Sequence, residues 1–224
     1  MTRSEKPPPR YVAFFDLDNT ILDASSGRLY VQYLFQNGGI GFQELLEGMF
    51  VGVVYRLGLL DTEAIIRRWA MKYRGVPEKK IADQVRAWFD NVVVHHFRPS
   101  VQDEINRHRA NGGRVVILSA ASNFVCHLVG GHLDMDDVLC THLEVVNGRL
   151  TGSFNGSYCY GREKLNRALR YCTENGFFLS DAYYYGDSHA DEFILSGVGH
   201  PVCVAPDWRL KRLAGRNRWP IIFD

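Results

Sequence analysis

The sequence predicts an α/β fold with a mostly parallel sheet core and a helical insertion between its first and second strands. Three observations carry this. Short apolar runs rich in β-branched and aromatic residues alternate with amphipathic segments from Arg98 onward, the pattern of parallel strands joined by helical crossovers. The run Tyr11-Val-Ala-Phe-Phe15 stops at two acids, Asp16 and Asp18, as a buried central strand does at its carboxyl end. Between Ile40 and His96 the pattern is helical, with no strand signal.

In order, Ser25-Ser26-Gly27 starts a helix that runs to about Gln36, with Leu29, Tyr30, Tyr33 and Leu34 on one side, and Asn37-Gly38-Gly39 ends it. Helices follow over 42–57, 62–74 and 78–92, started by Asp61-Thr62-Glu63 and Val76-Pro77-Glu78. Val101 to Ala110 is an amphipathic helix closed by Asn111-Gly112-Gly113, and Arg114 to Ser119 is a second buried strand. A helix from Asn123 to Val129, a short strand at Val138 to Cys140 and a hairpin about Asn147-Gly148 come next. Gly161 to Asn175 is a helix and Asp181 to Tyr185 a strand that ends in Gly186-Asp187-Ser188-His189-Ala190-Asp191. A short helix to Leu195, a strand Pro201 to Ala205, a basic helix from Pro206 to Arg216 and an edge strand at Pro220-Ile-Ile-Phe complete the chain.

Composition excludes several classes. Lys+Arg 26 against Asp+Glu 25 gives a net charge of +1 over 224 residues, so nothing draws the whole chain to nucleic acid or to an anionic membrane. The Arg209 to Arg218 run reads as a solvated helix face, because no aromatic interleaving precedes it. Five scattered cysteines without a CxxC pair argue against a disulfide framework or zinc site and for a reducing, cytoplasmic setting. The polar first ten residues lack the apolar core of a signal peptide. The apolar stretch Gly48 to Leu60 is too short for a membrane span and is interrupted by Arg56. His95-His96 has no third ligand at helical spacing and reads as structural.

Reactive groups sit after three apolar strands, Asp16 and Asp18, Ser119, and Asp187 with Asp191, while Lys164 stands at a helix start. In an open α/β sheet all of these face the crevice at the carboxyl ends of the strands. If the chain stays extended past Asp16, both of the first two carboxylates converge; if it turns at Leu17, Asp18 offers its backbone carbonyl instead. An EF-hand reading fails, because Ile21 and Gly27 stand where that loop needs Gly and Glu. Each group alone has an ordinary reading: an Asx turn, a helix cap for Ser119, a solvated lysine. Jointly those readings become improbable.

Together the motifs Asp16-Leu-Asp18-Asn-Thr20, Ser119, Lys164 and Gly186-Asp187 through Asp191 resemble the haloacid dehalogenase superfamily of aspartate-nucleophile phosphotransferases. The place of the helical insertion, the Leu143 to Gly152 hairpin and the Val198 to Asp207 stretch are similar to its phosphoserine-phosphatase-like branch, subfamily IB. The resemblance covers residues 11 to about 205. It implies a Rossmann-like core over residues 1–24 and 97–224 and a C1-type helical cap over 25–96. It also implies a phosphomonoester hydrolase. Asp16 would be the nucleophile and Asp18 the acid and base. Thr20, Ser119 and Lys164 would serve the phosphate, and Mg2+ would be held by Asp16, Asp18, Asp187 and Asp191, with Asp18 ligating through its backbone carbonyl.

The implied substrate is a small organic phosphomonoester, with no nucleic acid or membrane as partner. Departures from the branch pattern count against phosphoserine itself. No glutamate follows the nucleophile motif, where this chain has Asp23-Ala-Ser-Ser26, and Ala120-Ala121 stand where Gly-Gly is usual. Asp23 is left to meet an amine and Arg28 a carboxylate, while Phe42, Met49, Phe50 and Tyr55 would suit a substrate with an apolar part. A phosphotransferase or mutase using the same intermediate, and a silent scaffold, are the alternatives.

Overall fold

A computed structural model describes residues 9–42 and 62–223. Its centre is β1 (Val12–Phe15), all four residues of which are fully buried. Continuous apolar character is what a strand covered on both faces requires. Alternation divides it: Ala13 and Phe15 join one core cluster, Val12 and Phe14 the other. The strands β2 (Arg114–Ser122) and β3 (Asp137–Thr141) extend the sheet on one side of β1. On its other side lie β6 (Tyr183–Gly186), β7 (His200–Val204) and β8 (Ile221–Ile222). Every neighbouring pair in this six-stranded sheet is parallel. The chain leaves β1 toward β2 and returns to β1's other edge with β6, so β1 marks the point where strand order reverses and a crevice opens.

Helices α1 (Ser26–Gln36), α2 (Thr62–Met71) and α3 (Glu78–Asn91) lie in sequence between β1 and β2, followed by α4 (Pro99–Ala110). Of the expected helix over 42–57, residues 43–57 lie outside the described residues, as do Met49, Phe50 and Tyr55. After β2 come α5 (Asn123–His132), α6 (Arg162–Asn175), α7 (Glu192–Gly197) and α8 (Trp208–Asn217). On α8 only Leu210 and Ala214 are buried, so its basic residues form a solvent-facing surface.

Two connections pair where the chain leaves the sheet and where it returns. Leu22 bridges Phe97 in antiparallel fashion, the Asp23 amide donates to His96 O at 2.8 Å, and the Arg98 amide donates to Ile21 O at 2.9 Å. The His96 ring meets Asp23 at 2.7 Å, which gives this histidine its structural partner.

The antiparallel hairpin of β4 (Leu143–Val146) and β5 (Arg149–Phe154) is fastened to the α2–α3 turn. Gly75 N donates to Leu150 O, Leu150 N to Val76 O and Glu78 N to Gly148 O, at 2.8–3.0 Å.

Several boundaries move for physical reasons. β2 runs on to Ser122, because an irregularity after Ser119 lets Ser122 rejoin β3 opposite Thr141. α5 does not stop at Val129. It continues through Gly130, where a Cβ would meet Val138 at 2.8 Å, so this glycine serves a close helix–strand approach. The sixth strand begins at Tyr183, preceded by a single tight turn over Leu179–Asp181.

Candidate active site

Past Asp16 the chain turns. The Leu22 amide donates to Leu17 O at 2.9 Å, five residues back, and Asn19 takes φ +53°. This left-handed conformation is one that Asn tolerates better than most residues. The turn therefore removes the extended alternative for Asp16 and Asp18. Leu17 and Thr20 are fully buried, and the Thr20 hydroxyl has no hydrogen-bond partner among the described residues.

The two acids have different surroundings. Asp16 accepts from the Leu17 amide through Oδ1 at 2.7 Å and meets Lys164 Nζ through Oδ2 at 2.9 Å. Asp18 accepts through Oδ1 from the Ser26 amide at 2.8 Å, and so caps the start of α1 from eight residues upstream. Ser25, the residue before the helix, makes no such side-chain bond. Asp18 is partly buried. Burial raises its pKa above the usual carboxylate range, against the opposing pull of the Ser26 hydrogen bonds and the Lys164 charge.

Lys164, in the first turn of α6, is only 3% exposed. It bonds Asp191 Oδ1 at 2.7 Å and Tyr184 OH at 2.9 Å besides Asp16. Burial alone would lower its pKa; the charges of Asp16 and Asp191 outweigh it and hold the ammonium well above its ordinary value. Asp187 and Asp191 are buried at the end of β6 and in the turn that follows. Both have raised pKa values, chiefly from burial, and Asp187 also from the negative charges of Asp16 and Asp191.

Asp16, Asp187 and Asp191 each place an oxygen within 4.8 Å of the others. Among the described residues this is the one His, Cys, Asp or Glu group that could hold a metal ion. Asp191 Oδ2 is buried with no hydrogen-bond partner among the described residues. Three clustered carboxylates against one ammonium leave net negative charge, an all-oxygen donor set and an unsatisfied oxygen. That set suits a hard divalent cation. The Asp18 side chain is outside the cluster.

Ser119, 1% exposed, stands at the end of the regular part of β2, and its Oγ accepts from the Ala121 amide at 3.3 Å. Asp207 braces the third loop. Its Oδ2 accepts from His189 N and its Oδ1 from Leu210 N, which ties the Asp187 loop to the start of α8. Arg98, 8% exposed, donates to Asn19 O at 3.3 Å and so reaches the turn after the first acid.

The sequence reading missed Tyr184, Arg98, Asp207 and the Ser26 amide. Tyr184 had one available signal: it shares a strand face with Gly186, two residues on, just before Asp187. Arg98 had none beyond its place before Pro99. Asp23 is taken up by His96, and Arg28 is exposed on α1.

The haloacid dehalogenase-like hydrolase family matches residues 13–192 of this chain. The chain belongs to that family. Among curated relatives, the hydrolase is 27% identical over 220 residues to the histidinol-phosphatase of Neisseria meningitidis serogroup C, covering 94% of this chain and 97% of that protein. A Bordetella pertussis protein of unknown function shares the fold at TM-score 0.86 and 23% identity, covering 96% of this chain and 98% of that one. A phosphoserine phosphatase carrying an analogue of the phospho-aspartyl intermediate shares it at TM-score 0.70 and 17% identity, covering 96% and 93%. The fold is therefore that of the phosphoserine-phosphatase-like haloacid dehalogenases, as the motifs imply.

Proposed function

We propose that this phosphatase hydrolyses a small organic phosphomonoester through an aspartyl-phosphate on Asp16, with Mg2+ as cofactor. The observation that carries the reading is the contact set of Asp16. One oxygen is fixed by a backbone amide and the other by a buried ammonium, which orients an anionic nucleophile at the mouth of the sheet. Attack by Asp16 forms the new P–O bond as the bond to the leaving alkoxide breaks. Asp18 protonates that alkoxide and later takes a proton from the water that cleaves the aspartyl-phosphate. Burial suits Asp18 to this work, because a raised pKa keeps its proton available while Asp16 is ionised.

Lys164 and Ser119 would bind phosphoryl oxygens, one as a charge and the other as a hydroxyl donor. Thr20 would hold the turn that presents Asp16 and Asp18. Asp16, Asp187 and Asp191, with the Asp18 carbonyl, would hold the cation. When bound, the cation supplies charge neutralisation between the acids and the phosphate dianion.

Residues 25–96 would form a cap over a core of residues 1–24 and 97–224. Among the described residues no helix is long and apolar enough to cross a membrane. The five cysteines are free and buried, which fits a reducing cytoplasm.

For the substrate, histidinol phosphate heads the candidates, because the Neisseria relative matches nearly end to end. Of the stacked aromatic residues near Asp18, Phe154 and Tyr158 are buried in a small core cluster with Ala70, and Tyr160 is the partly exposed member. Phe154 stacks on Tyr158 and Tyr158 on Tyr160, with centroids 5.8 and 5.7 Å apart, and the Asp18 charge is among the influences on the Tyr158 hydroxyl. The test is phosphate release from histidinol phosphate, phosphoserine, sugar phosphates, nucleotides and lipid-like phosphates. Each is run with Mg2+, with EDTA, and with Asp16→Asn. Turnover that needs Mg2+ and Asp16 supports the mechanism; silence across the panel from folded protein overturns it.

A further inference from the structure

Tyr184 lies in the middle of β6, fully buried, with its hydroxyl between Lys164 and Asp191. The direction of each hydrogen bond is fixed by what the partners can do. An ammonium only donates, so the Tyr184 oxygen accepts from Lys164 Nζ at 2.9 Å. The single phenolic hydrogen is then free to go to Asp191 Oδ1, also at 2.9 Å. Lys164 meets that same Oδ1 at 2.7 Å. Oδ1 thus accepts two hydrogen bonds, while Oδ2 of the same carboxylate has no partner among the described residues. The three N–H groups of Lys164 match three acceptors, on Asp16, Asp191 and Tyr184. Gly186 makes room for this arrangement, because a Cβ there would lie 2.6 Å from Asp191 Oδ2 and 2.7 Å from the Tyr184 ring.

We propose that Tyr184 is a positioning residue of the site, whose hydroxyl holds the Asp191 carboxylate in the one rotation that leaves Oδ2 for the cation. The inference rests on the phosphatase reading above. An ammonium alone cannot do this work: Lys164 is shared with Asp16, and a carboxylate held by one donor can turn about its Cβ–Cγ bond to offer Lys164 either oxygen. A second donor on Oδ1, from a rigid ring packed in the sheet, removes that freedom. Hydrogen bonds to ligating carboxylates typically change cation affinity or activity 10–100-fold when removed.

The test is Tyr184→Phe, which keeps the ring and deletes the hydroxyl, beside Tyr185→Phe as control. Tyr185 is the next residue, buried and on the opposite strand face; its hydroxyl bonds Glu104 and His108 away from the acidic cluster. Mg2+ binding to the purified full chain is measured by titration calorimetry, thermal unfolding verifies that each variant folds, and phosphate release is followed in parallel. Tyr184→Phe should bind Mg2+ about tenfold or more weakly, with the activation constant for Mg2+ rising in step, while Tyr185→Phe keeps wild-type affinity. Wild-type affinity in Tyr184→Phe, or an equal loss in both variants, overturns the inference and leaves the phosphatase reading standing. A wild-type chain that neither binds Mg2+ nor releases phosphate overturns that reading, and the inference with it.

Discussion

Asp187→Asn should make the metal-free chain more stable and the Mg2+-loaded chain less stable than the wild type, so that the two cross. Asp187 is buried within 4.8 Å of oxygens of Asp16 and Asp191. At an effective dielectric constant of about 20, two unit charges at that distance repel by about 3.5 kcal/mol. Partial protonation and the Lys164 charge offset part of this, which leaves a net gain of about 0.5–2 kcal/mol, the size of a typical single stabilising substitution. In a chain of this length that is a rise of roughly 1–8 °C in Tm. The pH dependence has a definite sign. The folded-state pKa of Asp187 is raised, so the native state binds more protons than the unfolded one. Metal-free stability therefore falls as pH rises from the unfolded value through the raised folded value. Asn, which does not titrate, removes this contribution to the slope. With Mg2+ at about 100 times its Kd, the wild type should gain about 2.7 kcal/mol, and the Asn variant much less. Scanning calorimetry from pH 4 to 8, with EDTA and with Mg2+, reads all of this. An Asn variant less stable than wild type in EDTA, or one that keeps the full Mg2+ shift, would refute the charge argument.

Asp16→Asn should lower kcat by roughly 10⁴–10⁶-fold with the fold intact by circular dichroism; turnover within tenfold of wild type would remove Asp16 as nucleophile. Asp18→Asn should slow formation of the aspartyl-phosphate, read in single turnovers, by roughly 10²–10⁴-fold on alkyl phosphates but far less on p-nitrophenyl phosphate, whose leaving group needs no proton. It should also abolish the alkaline fall in rate that follows loss of the Asp18 proton; equal losses on both substrates would contradict its acid role. Gly186→Ala should abolish Mg2+ binding by calorimetry, because its Cβ would sit 2.6 Å from Asp191 Oδ2; normal affinity would show that the loop yields at little cost.

The polar residues at the strand ends were legible because each follows an apolar run, and a parallel sheet sends all such ends to one edge. Their convergence needed only the order of strands. What escaped the reading depends on contacts between distant residues. The Asp18 bond to Ser26 spans eight residues and carries no periodic signal. Tyr184 reads as one more aromatic in a strand until Lys164 and Asp191 are seen on either side of its hydroxyl. The helix expected to end at Val129 runs on through Gly130, because that glycine serves the approach of β3. The hairpin at Asn147-Gly148 was plain from its turn, but its pairing with Gly75 to Glu78 is a register set between segments some seventy residues apart, which no local pattern encodes.

Asp18 links these levels, for it is both the proposed acid and the cap of α1, the first helix after the nucleophile turn. A helix start favours the anionic carboxylate by its exposed amides and dipole, whereas burial favours the neutral acid, and burial prevails. The balance depends on α1 keeping its place. A shift that drew Ser26 away would remove the hydrogen bond that stabilises the charged form and raise the Asp18 pKa further, while a closer approach would lower it. The Asn19 amide on Ala24 O at 3.2 Å ties the approach to α1 to the turn that carries Asp16 and Asp18, and the Leu22–Phe97 and Arg98–Ile21 pairings, with Arg98 also on Asn19 O, hold that turn to the returning chain. If Asp18 is the acid proposed above, packing of the helices between β1 and β2 and proton transfer at the site are coupled through one carboxylate. A substrate that moves α1 on binding would tune its own acid catalyst.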